Sequence, residues 1–209
     1  MHDPSQRVYV VDDDEAMRDS LVWLLESHAY GVSAYASAEE FLAAHDAAMR
    51  GCLVLDVRMP GMSGLELHER LIARRSTLPV IFITGHGDVP MAVAALKKGA
   101  ADFIEKPFAD GEMLRLVEQC LAQERGLHEA RRRQDEVRGR LATLTDRERQ
   151  VMDLVVAGKA NKQVADELGI SIKTVEVHRA RVMDKMAAGS VAELVQAVMG
   201  AGGPGEGQP

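Results

Sequence analysis

Gly51-Cys-Leu-Val-Leu-Asp56-Val-Arg-Met-Pro60-Gly61 decides the fold. Cys52 to Leu55 is an unbroken apolar run, closed by Gly51 on one side and by Pro60-Gly61 on the other. A short run without polar alternation predicts a strand covered on both faces, as in a parallel sheet flanked by helices. The run ends in a carboxylate. Asp56 is therefore expected at the carboxyl end of a central strand, the edge at which open α/β sheets bind ligands. Taken alone, Asp56 serves equally well as the cap of the following turn, and the other strand ends decide between the two.

Val8-Tyr-Val-Val11 is a second buried strand, and it too ends in acids, Asp12-Asp13-Asp14. Residues 15–29 carry Met17, Leu21, Leu24, Leu25 and His28 at helical spacing. Val32 to Tyr35 is more mixed and suits an edge strand, and Ser37 with Glu40 makes a capping box for a helix through Phe41-Leu42. A further helix is expected from about Gly64 to Arg75. Pro79-Val-Ile-Phe-Ile83 is the fourth strand, ending at Thr84-Gly85, and a helix from about Val89 to Lys98 stops at Gly99. Asp102-Phe-Ile104 is the fifth strand, ending at Lys106-Pro107, and a helix from near Asp110 presents Met113, Leu114, Val117 and Leu121 on one face. Five strand–helix alternations with short right-handed connections predict an α/β flavodoxin-like doubly wound parallel sheet, for which 2-1-3-4-5 is one common order.

In that order the first and third strands are neighbours, so the Asp12-Asp13 pair and Asp56 share one pocket, with Thr84 and Lys106 arriving from adjacent strand ends. Gathered carboxylates repel unless a cation joins them, and an all-oxygen donor set suits Mg²⁺ rather than zinc. Lys106 offers a compact positive charge and Thr84 a hydroxyl donor. Together these groups suit a tetrahedral phosphoryl group held on Asp56, with the carboxylate as nucleophile.

Residues 6–123 resemble a response-regulator receiver domain on Asp12-Asp13, Asp56, Thr84 and Lys106-Pro107, in order and spacing. The resemblance implies that Asp56 takes its phosphoryl group from a sensor histidine kinase. It implies Mg²⁺ on Asp13, Asp56 and the Arg58 backbone carbonyl, with Asp12 acting through water, and a cis Lys106-Pro107 bond. Thr84 is then drawn toward the phosphoryl group while Phe103 turns inward behind it; ordinary core packing is the other reading of Phe103. Arg58 and His86 stand where the family tunes loss of the phosphoryl group. Asp14 lies beyond the family pair and reads as a helix-start charge.

From Glu124 to Arg140 charges dominate, with Arg131-Arg-Arg133 interleaved with acids, which predicts a solvated helical linker over 124–140. A basic patch on DNA is the sharper reading of the arginine triplet, and the interleaved acids weigh against it. Beyond it, Thr145-Asp-Arg-Glu148 opens a helix that Gly158 ends, Asn161 can cap a second, Ser171 caps a third over about Ile172 to Met186, and Ser190 with Glu193 starts a fourth. Helix, Gly-containing turn, helix is the helix-turn-helix pattern. On the third helix Ile172, Val175, Val182 and Met186 form an apolar stripe, and the opposite side shows Lys173, Glu176, Val177 and Ala180, flanked by Thr174 and Arg181. That side suits the major groove, with Glu176 accepting from cytosine and Val177 touching a thymine methyl. Lys162 and Arg181 suit phosphates. Arg179 serves either DNA or core packing, and His178 reads as a packed helix-face residue.

Residues 141–199 resemble the LuxR/FixJ type of DNA-binding domain, on Leu144-Thr-Asp-Arg-Glu148, Gly158, Asn161-Lys162, Ile170-Ser171 and Thr174-Val-Glu-Val-His-Arg179. Ile83-Thr-Gly-His-Gly-Asp-Val-Pro90 resembles the FixJ-like subgroup. The two resemblances imply a two-component transcriptional regulator, an α/β receiver followed by a small all-α helix-turn-helix domain. It would dimerise on phosphorylation through its fourth helix and fifth strand, roughly Met91 to Lys106, and bind a double-stranded DNA operator, with RNA polymerase as a further candidate partner. It would not be an enzyme apart from self-catalysed phosphotransfer to and dephosphorylation of Asp56. An aspartate-nucleophile phosphatase of the haloacid-dehalogenase type needs a second acid two residues on, where this chain has Arg58. A ligand-sensing regulator with the same DNA-binding half would not need the strand-end acids.

Charge and composition agree with this layout. The net charge is −7, and residues 1–139 carry the whole acidic excess, since residues 140–209 hold nine basic and nine acidic side chains. Nonspecific binding to nucleic acid is disfavoured, whereas specific contacts by a few basic residues are not. Two cysteines, Cys52 and Cys120, are too few for a disulfide framework and suit a reducing compartment. Met1 to Arg7 is polar, so no signal peptide is expected, and no apolar run approaches bilayer length. The expectation is a cytoplasmic protein without a membrane partner, and residues 200–209, rich in Gly and Pro, are expected to be disordered.

Overall fold

The computed structural model describes residue 3, residues 5–85 and residues 89–200 of the 209. His86 and the tail beyond Gly200 lie outside the described residues. The chain divides into two compact units, residues 1–127 and 128–209, and the boundary falls inside one long helix.

In the first unit strands β1 (Arg7–Val11), β2 (Val32–Tyr35), β3 (Gly51–Asp56), β4 (Val80–Thr84) and β5 (Asp102–Glu105) alternate with helices α1 (Glu15–Ser27), α2 (Ala38–Ala44), α3 (Gly64–Ala73), α4 (Val89–Lys97) and α5 (Asp110–Ala142). The strands form one parallel sheet in the order β2-β1-β3-β4-β5, the common order named above among those the alternation allows. Every residue of β3 and β4 is buried, because helices cover both faces of the central strands. The pleat divides β3 between two cores. Leu53 and Leu55 join Phe41, Leu67 and Phe82 on one face, whereas Cys52 and Val54 join Leu25, Ile81, Met113 and Val117 on the other. Both cysteines are free and buried.

Local signals start the helices where they are expected. Asp14 caps α1, its side chain accepting from the Ala16 and Met17 amides. Ser37 caps α2, but Glu40 turns back to the Ala36 amide rather than to Ser37, so the reciprocal half of the expected box is displaced by one residue. Ser63 and Glu66 form a complete capping box at α3. The linker expected from Glu124 is helical, as the central part of α5, but Glu124 itself is buried: Arg50 donates to both of its carboxylate oxygens, at 3.1 and 3.2 Å.

The second unit holds the end of α5 followed by α6 (Asp146–Val156), α7 (Asn161–Leu168), α8 (Ile172–Lys185) and α9 (Val191–Gly200). Val151, Val164, Val175, Val182, Met186 and Leu194 form its core, and Val137 and Leu141 of α5 pack against it. Gly169 closes α7 with φ +64, a left-handed cap that the turn into α8 requires. Asn161 does not cap α7: Ala160 holds that place, and its amide donates to Gln163.

The capping box of α6 is also a buried ion pair. Glu148 accepts from the Thr145 amide and, at 2.6 Å, from Lys185 in the last turn of α8. The Lys185 bond, then the Thr145 amide, hold the Glu148 carboxyl down from 4.5 to about 2. A depressed carboxyl contributes stability that is present above its unfolded value and lost as pH falls through its folded value. Glu148→Gln is therefore expected to melt a few degrees lower than wild type at neutral pH, with the difference closing between pH 4.5 and about 2. Thermal melts across that range check it; a pH-independent difference would contradict the ion pair.

Candidate functional site

Parallel strands end together, so their last residues meet along one edge of the sheet. Asp12 directly follows β1, Asp56 is the last residue of β3, Thr84 the last of β4, and Lys106 follows β5. The neighbouring strands β1 and β3 set Asp12 and Asp56 side by side, and the Lys106 ammonium joins them. Its Nζ donates to Asp56 Oδ1 at 2.7 Å and to Asp12 Oδ2 at 3.1 Å. Asp12 is 1 % and Asp56 6 % exposed. The remaining oxygens accept backbone amides: Asp12 Oδ1 from Asp14 at 2.9 Å, and Asp56 Oδ2 from Arg58 at 2.6 Å. Arg18 of α1 donates to the Asp12 carbonyl at 2.9 Å and so ties the acidic turn to its helix.

Two buried carboxylates on one ammonium leave negative charge uncompensated. Burial pushes the Asp56 carboxyl above its ordinary value and Asp12 adds to this, while Lys106 and the Arg58 amide pull the other way. Burial pulls Lys106 down, but its bonds to Asp56 and then Asp12 outweigh that and hold the ammonium above its ordinary value. Both directions describe a pocket poor in water and short of positive charge.

The other residues singled out from the sequence fall into place unevenly. Asp13 is exposed, and among the described residues no three His, Cys, Asp or Glu side chains stand close enough together to hold a metal ion. Thr84 is fully buried, with its hydroxyl directed to the Ile104 carbonyl at 3.4 Å. Phe103 is half-buried against the α3-side core, in register with Phe82. The Lys106-Pro107 bond is cis.

On α8 the expected exposed side is exposed: Val177 is 42 % accessible, and Lys173 and Glu176 pair at 3.2 Å in solvent, with Ala180 and Arg181 also open. Ser171 caps the helix through the Thr174 amide. Ile172 departs from the expected stripe. It is 46 % exposed, because at the first turn the core below extends no further than Val175. Arg179 donates to Asn161 at 2.9 Å, so these two residues brace α8 against the start of α7. His178 packs, as its position implies, and its Nδ1 is buried without a partner among the described residues. Lys162 is exposed at the start of α7. The sequence reading missed Glu39, whose Oε1 accepts the Met62 amide of the loop after Asp56 at 2.8 Å; Glu39-Glu40 reads as an ordinary acidic first turn.

Among the described residues no helix is long and apolar enough to cross a membrane. Residues 8–118 match the response regulator receiver domain family, and residues 142–198 the luxR family of bacterial regulatory proteins. The transcriptional regulatory protein FixJ of Azorhizobium caulinodans is 52% identical over 93% of this chain and 92% of its own length. The solved structure of the response regulator StyR is 45% identical, with a TM-score of 0.87 over 93% of this chain and 98% of that one. Full-length FixJ from B. japonicum is 47% identical, with a TM-score of 0.60 over 94% of this chain and 97% of that one. With a receiver sheet whose strand-end acids share one lysine, and a helix-turn-helix unit following it in the chain, the protein belongs to the FixJ-type response regulators: transcriptional regulators made of a receiver domain and a LuxR-type DNA-binding domain.

Proposed function

We propose that this regulator is switched by phosphorylation of Asp56, with a sensor histidine kinase as the donor. The observation that carries the reading is the Asp12–Lys106–Asp56 triangle at the carboxyl edge of the sheet. Burial makes the Asp56 carboxylate a more basic nucleophile, and the Arg58 amide on Oδ2 leaves Oδ1 to attack phosphorus as Lys106 moves to the incoming oxygens. The phosphorus–nitrogen bond of a phosphohistidine breaks, its electron pair returns to the imidazole, and Asp56 becomes an acyl phosphate.

Mg²⁺ suits the chemistry of these donors: Asp56, the Arg58 carbonyl and Asp13, once it turns in from its exposed position, would hold the ion, with Asp12 acting through water. All are hard oxygens, and the two buried acids exceed the single ammonium beside them by one charge. When bound, the ion supplies charge neutralisation for the phosphoryl oxygens. Thr84 would exchange the Ile104 carbonyl for a phosphoryl oxygen, and the space its hydroxyl leaves admits Phe103. That movement alters the surface of α4 and β5, where two copies would pair and present two α8 helices to a two-fold-symmetric operator. Arg58 and His86, two residues beyond Asp56 and Thr84, would tune the hydrolysis that ends the signal. RNA polymerase is the partner such a DNA-bound dimer would act through.

Titration of operator DNA with the full chain, with and without a small phosphodonor, tests the reading. Affinity is expected to rise by about ten-fold, within the usual range of coupling between sites. Unchanged affinity in fully labelled protein would overturn it. In the same titration Lys162→Ala is expected to lower the salt slope of binding by about one, and Val177→Ala to weaken only sites that carry the contacted thymine.

A further inference from the structure

The loop after Asp56, residues 57–63, is closed at its base. Val57 N–H donates to Ile83 at 3.0 Å, and Gly64 N–H donates to the Val57 carbonyl at 3.1 Å. Gly64 admits no side chain, since a Cβ there would lie 2.1 Å from the Asp56 carbonyl oxygen. Between these fixed ends Met59 and Met62 bury their side chains in the core, but unbranched thioethers adapt to their surroundings and fix a backbone poorly.

A carboxylate from another element reaches the crest of the loop. Glu39, in the first turn of α2, accepts the Met62 amide at 2.8 Å. Gly61 meets the same oxygen: its φ is +74, and a Cβ would lie 2.8 Å from Glu39 Oε1. α2 is a firm platform, because Phe41 is fully buried in edge contacts with Tyr9 and Tyr35, ring centres 5.9 and 5.3 Å away.

We infer that Glu39 is a positioning residue for Asp56. Its carboxylate fixes the loop backbone from Arg58 to Met62, and with it the Arg58 amide that orients the Asp56 carboxylate. The inference rests on Asp56 being the phosphoacceptor. Glu39 acts through the loop, by holding the nucleophile in the narrow range of geometries from which it can attack.

The rate of Asp56 labelling by acetyl phosphate in the full-length protein tests it, at a temperature where circular dichroism shows every variant folded. Glu39→Ala is expected to label about ten-fold more slowly at saturating phosphodonor, since small displacements of a reacting group carry penalties of this size. Glu39→Gln keeps an oxygen that can accept the same amide and should label near the wild-type rate. Gly61→Ala, which drives a methyl group into the contact from the other side, should be as slow as Glu39→Ala. The double variant should be no slower than either single one, because both break one interaction. Amide exchange at Met62, followed by NMR without metal or phosphodonor, should speed up in Glu39→Ala and not in Glu39→Gln. Equal labelling rates in wild type and Glu39→Ala, or multiplied losses in the double variant, would overturn the inference. A wild type that takes no label overturns the phosphoacceptor reading instead, which keeps the two failures apart.

Discussion

Asp56→Asn is expected to take no phosphoryl group and to lose the whole phosphodonor-dependent gain in DNA affinity. Asparagine keeps the volume of aspartate but offers one oxygen where the carboxylate offers two, to Lys106 on Oδ1 and to the Arg58 amide on Oδ2, so the substitution removes a nucleophile and a charge without opening a cavity and keeps one of those two bonds. Relief of the buried charge should outweigh that bond and stabilise the fold. The Asp56 carboxyl is held above its ordinary value, first by burial, so its ionised form is disfavoured in the folded protein. An acid whose folded value exceeds its unfolded value costs stability above that folded value, and the cost disappears as pH falls through it. Asp56→Asn should therefore melt higher than wild type at neutral pH and converge with it in acid. Label recovered on the corresponding peptide of the Asp56→Asn variant, or a phosphodonor response in its DNA binding, would contradict the assignment.

Lys106→Met is expected to give the largest change in stability. It leaves Asp12 and Asp56, 1 % and 6 % exposed, facing each other without their shared cation. Breaking a buried charge pair by removing one partner costs about 3 kcal/mol at the lower end of the usual range, and the lower end applies because the lysine side chain is 27% exposed. The pH dependence identifies the cause. Loss of the ammonium removes the larger of the two influences that hold Asp56 down and leaves only the Arg58 amide, so its proton is retained to higher pH and the deficit shrinks as pH falls. Combining Lys106→Met with Asp56→Asn should recover most of the loss, since one buried charge is then gone. Denaturant melts of the four proteins measure this cycle; an additive double variant would show that the lysine is not balancing the two acids.

Much of this molecule was legible because its chemistry sits where local patterns are strongest. The apolar run at Cys52 to Leu55 reads as a doubly covered strand, and the observed sheet order is one of the common orders that the alternation of strands and helices allows. Asp12, Asp56 and Lys106 were visible because each stands where an apolar run stops. Contacts that depend on tertiary approach were not legible. The Glu40 box and the Asn161 cap follow a correct local rule and were shifted by one residue along the chain, to the Ala36 amide and to Ala160, whereas Asn161 is taken up by Arg179 and the Ile172 stripe stops at the edge of the second core. Glu124 reads as the start of a solvated linker, yet Arg50 lies 74 residues away in sequence and donates to both of its carboxylate oxygens. Glu39 is the most consequential of these, since an exposed first-turn acid carries no mark of the backbone amide it holds.

The most direct test of the central claim is peptide mapping of the full-length protein after incubation with Mg²⁺ and acetyl phosphate, with DNA affinity measured on the same sample. The account predicts a single hydroxylamine-labile phosphoryl group on the peptide containing Asp56, and tighter operator binding in proportion to its occupancy. A phosphoryl group on any other peptide, or tighter binding without one on Asp56, would contradict it.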